Sequence, residues 1–300
     1  MAVQFNVAYS STLKGAGIIA GGPYYCAQGD KITAISKCSC TGLLCRVKPG
    51  STDVQKLIKI TNQYASNGTI DPTINLAHQK IWLFSGTADS LIPQSVMDEL
   101  DVFYQHFTES ADIHYQKNII AQHTMPTDFF GSSCETLASP YINNCRFDAA
   151  GEMLKWIYGN LNPKQESTLQ GEFIEFDQSE FSPRPTADGL AKTGFLYVPV
   201  TCSKMSNEPC KLHVVFHGCL QDSKNIGEIF IKNAGYNQWA DANNMIMLYP
   251  QAAATLPNNP NACWNWFNFN HDDPNYANKN GRQMIAIKKM IDRITALKGE

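Results

Sequence analysis

A chain of 300 residues with 43% hydrophobic and 17% charged side chains can bury a large core and is not a disordered segment. Its formal net charge of −3 gives no reason to expect nucleic acid or an anionic membrane surface as a partner. No apolar run approaches the ~18 residues that a bilayer-spanning helix needs.

In chain order, "MAVQFNVAYS" sets Met1, Phe5 and Ala8 on one helical face and Val3 and Val7 on another, which predicts a helix buried on most sides. "GAGIIAGGP" (15–23) predicts a buried strand running into a loop, and "KIWLFSG" (80–86) a second. Val96, Leu100, Phe103 and Phe107 keep a 4-3-4 spacing and predict an amphipathic helix. "ADIHYQ" (111–116) is a shorter strand, and "AAGEMLKWIY" (149–158) a helix closed by Gly159. The stretch 160–194 is polar, holds Pro163, Pro183 and Pro185, and has one alternating patch, "GEFIEFDQ". It reads as a connector carrying an edge strand. Strands follow at 194–200, 211–218 and 244–251, with a helix near 227–242 between the last two. Met284, Ile287, Ile291 and Ile294 mark a closing helix at 281–298. Strands alternating with helices predict an α/β fold with a largely parallel sheet, in a single domain over 1–300.

The chain has 10 cysteines. Cys134 and Cys145 form one short-range pair, Cys202 and Cys210 another, while Cys26, Cys38, Cys40 and Cys45 cluster and Cys219 and Cys263 stand apart. No C-x₂-C knuckle or Cys/His pair has ligand spacing, so no metal is expected and disulfides are. Disulfides point to an exported protein. No basic leader or apolar signal core opens the chain, so the expectation is that a signal segment lies upstream of Met1.

Three segments carry chemistry. In "SGTADSLIP", Asp89 follows a strand and precedes a helix, where parallel sheets place functional groups and where a turn or helix cap is the plainer use. In "AQHTMPTDFFG", His123 sits in a loop after the next strand. Asp then His, each after a strand, is the second half of the α/β-hydrolase order Ser…Asp…His, in which the imidazole takes the nucleophile's proton and the carboxylate fixes its tautomer. In "VVFHGCLQ", a strand ends in His-Gly, where those enzymes keep an oxyanion-hole amide worth roughly 10²–10³ in rate. His217 is a weaker candidate for the base because it sits inside that strand-end motif. "NACWNWFNFNHDD" sets Trp264, Trp266 and two phenylalanines among Asn and Asp, which predicts an exposed aromatic platform for an apolar or carbohydrate surface, with packing under the loop as the alternative for Trp264. G-x-S-x-G is absent: Ser85 precedes Gly86, but Leu83 stands where the first glycine belongs.

Together "MAVQFNVAYS", "AGGPYYCA", "KIWLFSGTADSLIP", "HTMPTDFFG", "SPYINNCRFDAAGEMLKWIYGNL", "TGFLYVPVTC", "HVVFHGCLQ", "GYNQWADANNMIMLYPQ" and "CWNWF" run in one order over nearly the whole chain. In this the chain resembles extracellular poly(3-hydroxybutyrate) depolymerases of the single-domain, circularly permuted α/β-hydrolase type. The resemblance implies a monomeric serine esterase acting on a polyester or oligoester substrate through an acyl-enzyme, without a cofactor. It implies that Asp89 and His123 are triad members, that the Cys219 amide is an oxyanion donor, and that Trp266 lines a polymer-binding crevice. It implies a Cys219–Cys263 bridge beside Cys134–Cys145 and Cys202–Cys210. A further bridge joins Cys26 to Cys38 or Cys40, with two bridges in that cluster as the alternative. The family's Gly-Leu-Ser-Ser-Gly-Gly-Tyr segment, whose second serine is the nucleophile, directly precedes the helix that opens here. The nucleophile and the strand before it are therefore expected upstream of Met1, in a protein that is extracellular or periplasmic. Without the serine, a triad enzyme loses on the order of 10⁶ in kcat. A carbohydrate acetyl or feruloyl esterase and a catalytically dead polymer- or carbohydrate-binding protein are the competing functions.

Overall fold

The computed structural model describes residues 1–203 and 209–296. In chain order its elements are α1 (Ala2–Ala8), β1 (Gly15–Ile19), α2 (Lys31–Ser36), α3 (Val54–Ser66), β2 (Lys80–Phe84), α4 (Gln94–Phe107), β3 (Ile113–Gln116) and the short strands β4 (Met125–Thr127), β5 (Ser132–Ser133) and β6 (Ile142–Asn144). They continue as α5 (Ala149–Tyr158), β7 (Glu172–Asp177), β8 (Thr193–Val198), α6 (Val200–Ser203), β9 (Lys211–Val214), α7 (Ser223–Ile226), α8 (Ile229–Asn233), α9 (Tyr236–Ala242), β10 (Met245–Tyr249) and α10 (Arg282–Ala296). Residues 297–298 of the expected closing helix lie outside the described residues.

The strands form an α/β arrangement of parallel and mixed sheets flanked by helices. β1-β2-β3 is wholly parallel. The second sheet runs β7-β8-β10-β9, with β9 and β10 parallel and the other two pairings antiparallel. β7, from the proline-bearing connector, pairs with β8 along its whole length. β4, β6 and β5 make a small separate sheet.

Side chains alternate across a strand, and here both faces are covered, which is why these strands read as unbroken apolar runs. Ile81 and Leu83 of β2 share one core with Leu248 of β10, while Trp82 and Phe84 share the other with Met247 and Tyr249. Both sheets thus divide the same two cores and lie in one layer. Among the described residues β1 pairs with β2 alone and β9 with β10 alone. Each of these two edges faces the same two helices. α1 packs on β1, and its Phe5 meets Phe216, just past β9, at 6.1 Å between centroids. α5 packs on β1 from the other face, and its Tyr158 hydroxyl lies 3.3 Å from the Leu212 carbonyl on β9.

α1 is buried from Val3 through Ala8. Its polar breaks are paired, as burial demands. Gln4 donates to the Tyr276 carbonyl at 2.7 Å. Asn6 donates to Gln79 Oε1 at 2.6 Å and accepts the Tyr104 hydroxyl at 2.9 Å. The helix expected near 227–242 is two helices instead, because Gly235 turns the chain through φ +91° between α8 and α9. α3 is an addition to the elements read from sequence. Its Asp53 side chain accepts the Lys56 amide as a cap, and Val54, Leu57, Ile58 and Thr61 form its buried stripe.

Candidate active site

The β2–β3 ladder continues past both strand ends. The Thr87 amide donates to the Ile119 carbonyl at 2.9 Å and the Ala88 amide to the Ala121 carbonyl at 3.1 Å. Gly86 permits this approach, since a Cβ there would stand 2.1 Å from the Ala121 oxygen. The two loops therefore leave the sheet in register, and the next residue on one is Asp89 while His123 follows on the other.

Asp89 is buried and His123 is half-buried, with 31% of its side chain exposed. Asp89 Oδ1 accepts the amides of Leu91 and Ile92 at 2.9 and 2.8 Å. Oδ2 is left for His123 Nδ1 at 3.0 Å. With a carboxylate as acceptor, Nδ1 carries the ring proton. Nε2 then presents its lone pair, and among the described residues nothing else occupies it. This is the tautomer and orientation of a general base. Gln122 ties the two loops again, its Oε1 accepting the Ser90 amide at 2.7 Å and the His123 amide at 2.9 Å. Nothing in the sequence marks Gln122 except its place before His123.

The turn after β9 is held at several points. His217 is buried, its Nε2 accepts the Ala252 amide at 3.0 Å, and its Nδ1 donates to the Gly218 carbonyl at 2.7 Å. Acceptance at Nε2 requires the neutral ring, and burial pushes its pKa down. His217 is thereby committed to the turn and is not free to serve as a base. The Trp264 indole N–H donates to the His217 carbonyl at 3.0 Å. The Leu220 amide donates to the Asn261 carbonyl at 2.8 Å, and Cys219–Cys263 bonds the same two loops covalently. The Cys219 amide has no acceptor among the described residues. A peptide plane pinned at its oxygen aims its N–H the opposite way, so the contact from His217 to the Gly218 carbonyl fixes where the Cys219 N–H points.

The aromatic loop is not the exposed platform that its polar setting predicts. Trp264, Phe267 and Phe269 are buried, and Trp266 is half-buried against Phe267 at 5.1 Å. Of the asparagines in that stretch Asn265 is an internal strut, and so is Asn259 just before it. Asn259 exchanges two hydrogen bonds with the Cys263 backbone, and Asn265 Oδ1 accepts the Phe269 amide.

Five disulfides are formed: Cys26–Cys38, Cys40–Cys45, Cys134–Cys145, Cys202–Cys210 and Cys219–Cys263. Among the described residues one trio, His78, Glu109 and Asp112, brings possible metal-donor atoms within 4.8 Å of one another. It lies at the amino ends of β2 and β3, away from Asp89, and Lys80 Nζ already occupies Asp112 at 2.5 Å. It reads as a surface ion-pair group.

No family model matches the chain. It is 45% identical over 298 residues to a poly(3-hydroxybutyrate) depolymerase of Delftia acidovorans, an alignment covering 99% of this chain and 57% of that protein. The chain therefore spans little more than half the length of that relative. It is 39% identical over 310 residues to a polyhydroxybutyrate depolymerase of Talaromyces funiculosus, covering 99% of this chain and 86% of the relative. Among solved structures it matches a serine-to-alanine variant of a PHB depolymerase complexed with an R3HB trimer, with a TM-score of 0.88, 38% identity and coverage of 99% of this chain and 92% of that one. The PHB depolymerase of Penicillium funiculosum matches with a TM-score of 0.86 at 38% identity, over 98% and 91% of the two chains.

Proposed function

The chain belongs to the poly(3-hydroxybutyrate) depolymerase family, and from that premise we propose that it forms most of a serine esterase that hydrolyses a hydroxyalkanoate polyester or its oligomers. The observation that carries this is the Asp89–His123 pair, with Nδ1 engaged and Nε2 free. In the proposed reaction His123 Nε2 takes the proton of a serine hydroxyl as the oxygen attacks the ester carbonyl. The Cys219 amide holds the oxyanion of the tetrahedral intermediate, and the alcohol leaves with the proton from His123. Water then repeats the sequence on the acyl-enzyme and releases the hydroxyacid. Asp89 keeps the imidazole oriented and stabilises its charged form.

The serine is proposed to come from a segment upstream of Met1. The unpaired edges of β1 and β9 among the described residues support it: one strand laid between them would join the two sheets through hydrogen bonds to both. In parallel sheets functional groups gather at the carboxyl ends of strands. A turn leaving that strand would run into α1 and sit between His123 and the Cys219 turn. The relative whose serine is replaced by alanine is the one complexed with an R3HB trimer, which supports both the nucleophile and the oligoester as ligand.

Strand order supports circular permutation. α/β-hydrolases take their oxyanion turn from a strand that precedes the strands carrying Asp and His; here β9 follows β2 and β3. On this reading 1–300 is one domain, and 160–194 joins its two halves. Trp266, half-buried beside the Cys263 loop, is the residue proposed to meet polymer, and buried Trp264 supports the turn from beneath. Five disulfides support an exported protein.

The test is expression with the upstream coding region in frame. Release of hydroxyacid from polymer or oligomer, together with labelling by a serine-directed phosphonate, is the expected result. Absence of both hydrolysis and labelling overturns the reading, and granule binding without hydrolysis favours a binding protein.

A further inference from the structure

The geometry points to Gln221 as a positioning residue that fixes the distance between the oxyanion amide and the histidine loop. The inference rests on the roles proposed for Cys219 and His123. Gln221 is buried, and all of its side-chain amide is engaged. Oε1 accepts the Gly218 N–H at 2.8 Å. Nε2 donates to the carbonyls of Pro140 and Tyr141 at 3.1 and 3.0 Å. Its backbone N–H also donates to the Gly218 carbonyl at 3.2 Å. Gly218 is thus gripped through both its N–H and its C=O by one residue, and the next amide along is that of Cys219.

The far end of the same side chain reaches the histidine. The Tyr141 carbonyl that accepts Gln221 Nε2 also accepts the Met125 N–H at 2.9 Å, where β4 pairs with β6. Met125 is two residues after His123. Three contacts therefore run from the oxyanion turn through Gln221 and Tyr141 to β4, which begins two residues after His123. The disulfide and Trp264 tie the turn to the aromatic loop instead, so they leave its distance from His123 unset. Proton transfer and oxyanion stabilisation must act on the same carbonyl carbon, and misplacement by ~1 Å costs on the order of 10²-fold.

Two variants separate positioning from folding. Gln221→Glu keeps an acceptor for Gly218 but has no donor for Pro140 and Tyr141 when ionised. Gln221→Leu removes both ends at similar volume. In the chain carrying its upstream serine segment, each is expected to lower kcat on a soluble ester by about 30- to 100-fold with KM within about twofold. In residues 1–300 alone, hydrogen exchange at the Gly218 amide is expected to quicken at least about tenfold in Gln221→Leu. The Leu220 amide, held by Asn261, should exchange as before. Unchanged kcat in a folded variant, or equal quickening at Gly218 and Leu220, overturns the inference. If the unsubstituted serine-bearing chain hydrolyses no ester, the functional reading fails, while amide exchange still decides whether Gln221 sets the turn.

Discussion

Asp89 Oδ2 and His123 Nδ1 stand 3.0 Å apart, while the other carboxylate oxygen is spent on two backbone amides. The carboxylate is therefore oriented before the histidine reaches it, and only one of its oxygens can hold the ring. Replacing Asp89 by Asn allows the ring to settle in the wrong tautomer. In the serine-bearing chain Asp89→Asn is expected to reduce kcat by about 10⁴-fold. In residues 1–300, the downfield Nδ1 proton of His123 should disappear from the NMR spectrum.

Gln122 holds the Ser90 and His123 amides on one oxygen. Gln122→Ala frees both loops without touching substrate. Its expected effect is a fall in kcat of about 10-fold or more, with KM little changed, in steady-state kinetics on a soluble ester.

The Cys219–Cys263 bridge closes a loop of 44 residues. Chain entropy of the unfolded state sets its contribution at about 4 kcal/mol. The double variant Cys219→Ala/Cys263→Ala is expected to be less stable by that order in denaturant titration, and to lose activity further below its midpoint than the parent does.

His213 on β9 stacks on Tyr236 with centroids 5.7 Å apart, and its Nδ1 lies 3.2 Å from the Tyr158 hydroxyl. Burial pushes its pKa from 6.5 down to about 4. Between those values the unfolded chain binds the extra proton and the folded chain does not. Stability from this group is therefore present above pH 6.5, falls as pH drops towards about 4, and is flat below. His213→Gln should flatten urea-derived stability over that window, by up to about 1.4 kcal/mol per pH unit.

Much of the fold was legible because buried strands and amphipathic helices write themselves as apolar runs and periodic stripes. β1, β2, β10, α4 and α10 follow from such patterns. α3 carries the same kind of stripe, but Lys56, Lys59 and Gln63 on its outer face make the segment read as polar. Asp89 and His123 were legible from their places after strands. For Trp264 the packing alternative is the one that burial matches; the loop read as exposed because polarity was taken for exposure, whereas Asn265 is a polar group satisfied inside the protein. Gln122 and Gln221 were invisible for a related reason. A side-chain amide that bridges two loops acts through the distance between them, and no spacing along the chain records that distance.

The inner edges of β1 and β9 bear on the behaviour of the chain in bulk solution. Strands that face solvent at a sheet edge carry charges, prolines or bulges that stop them pairing with another molecule. β1 reads Gly-Ala-Gly-Ile-Ile, and after Lys211 β9 reads Leu-His-Val, with no such guard in either run. On the proposed arrangement, in which one strand lies between them, the same groups would accept any extended segment that fits, including one from a second copy. Self-association of residues 1–300 and complementation by a separate strand peptide are then competing uses of the same hydrogen-bonding groups. On the proposed reading, a peptide bearing the serine at its carboxyl end would both oppose self-association and complete the site.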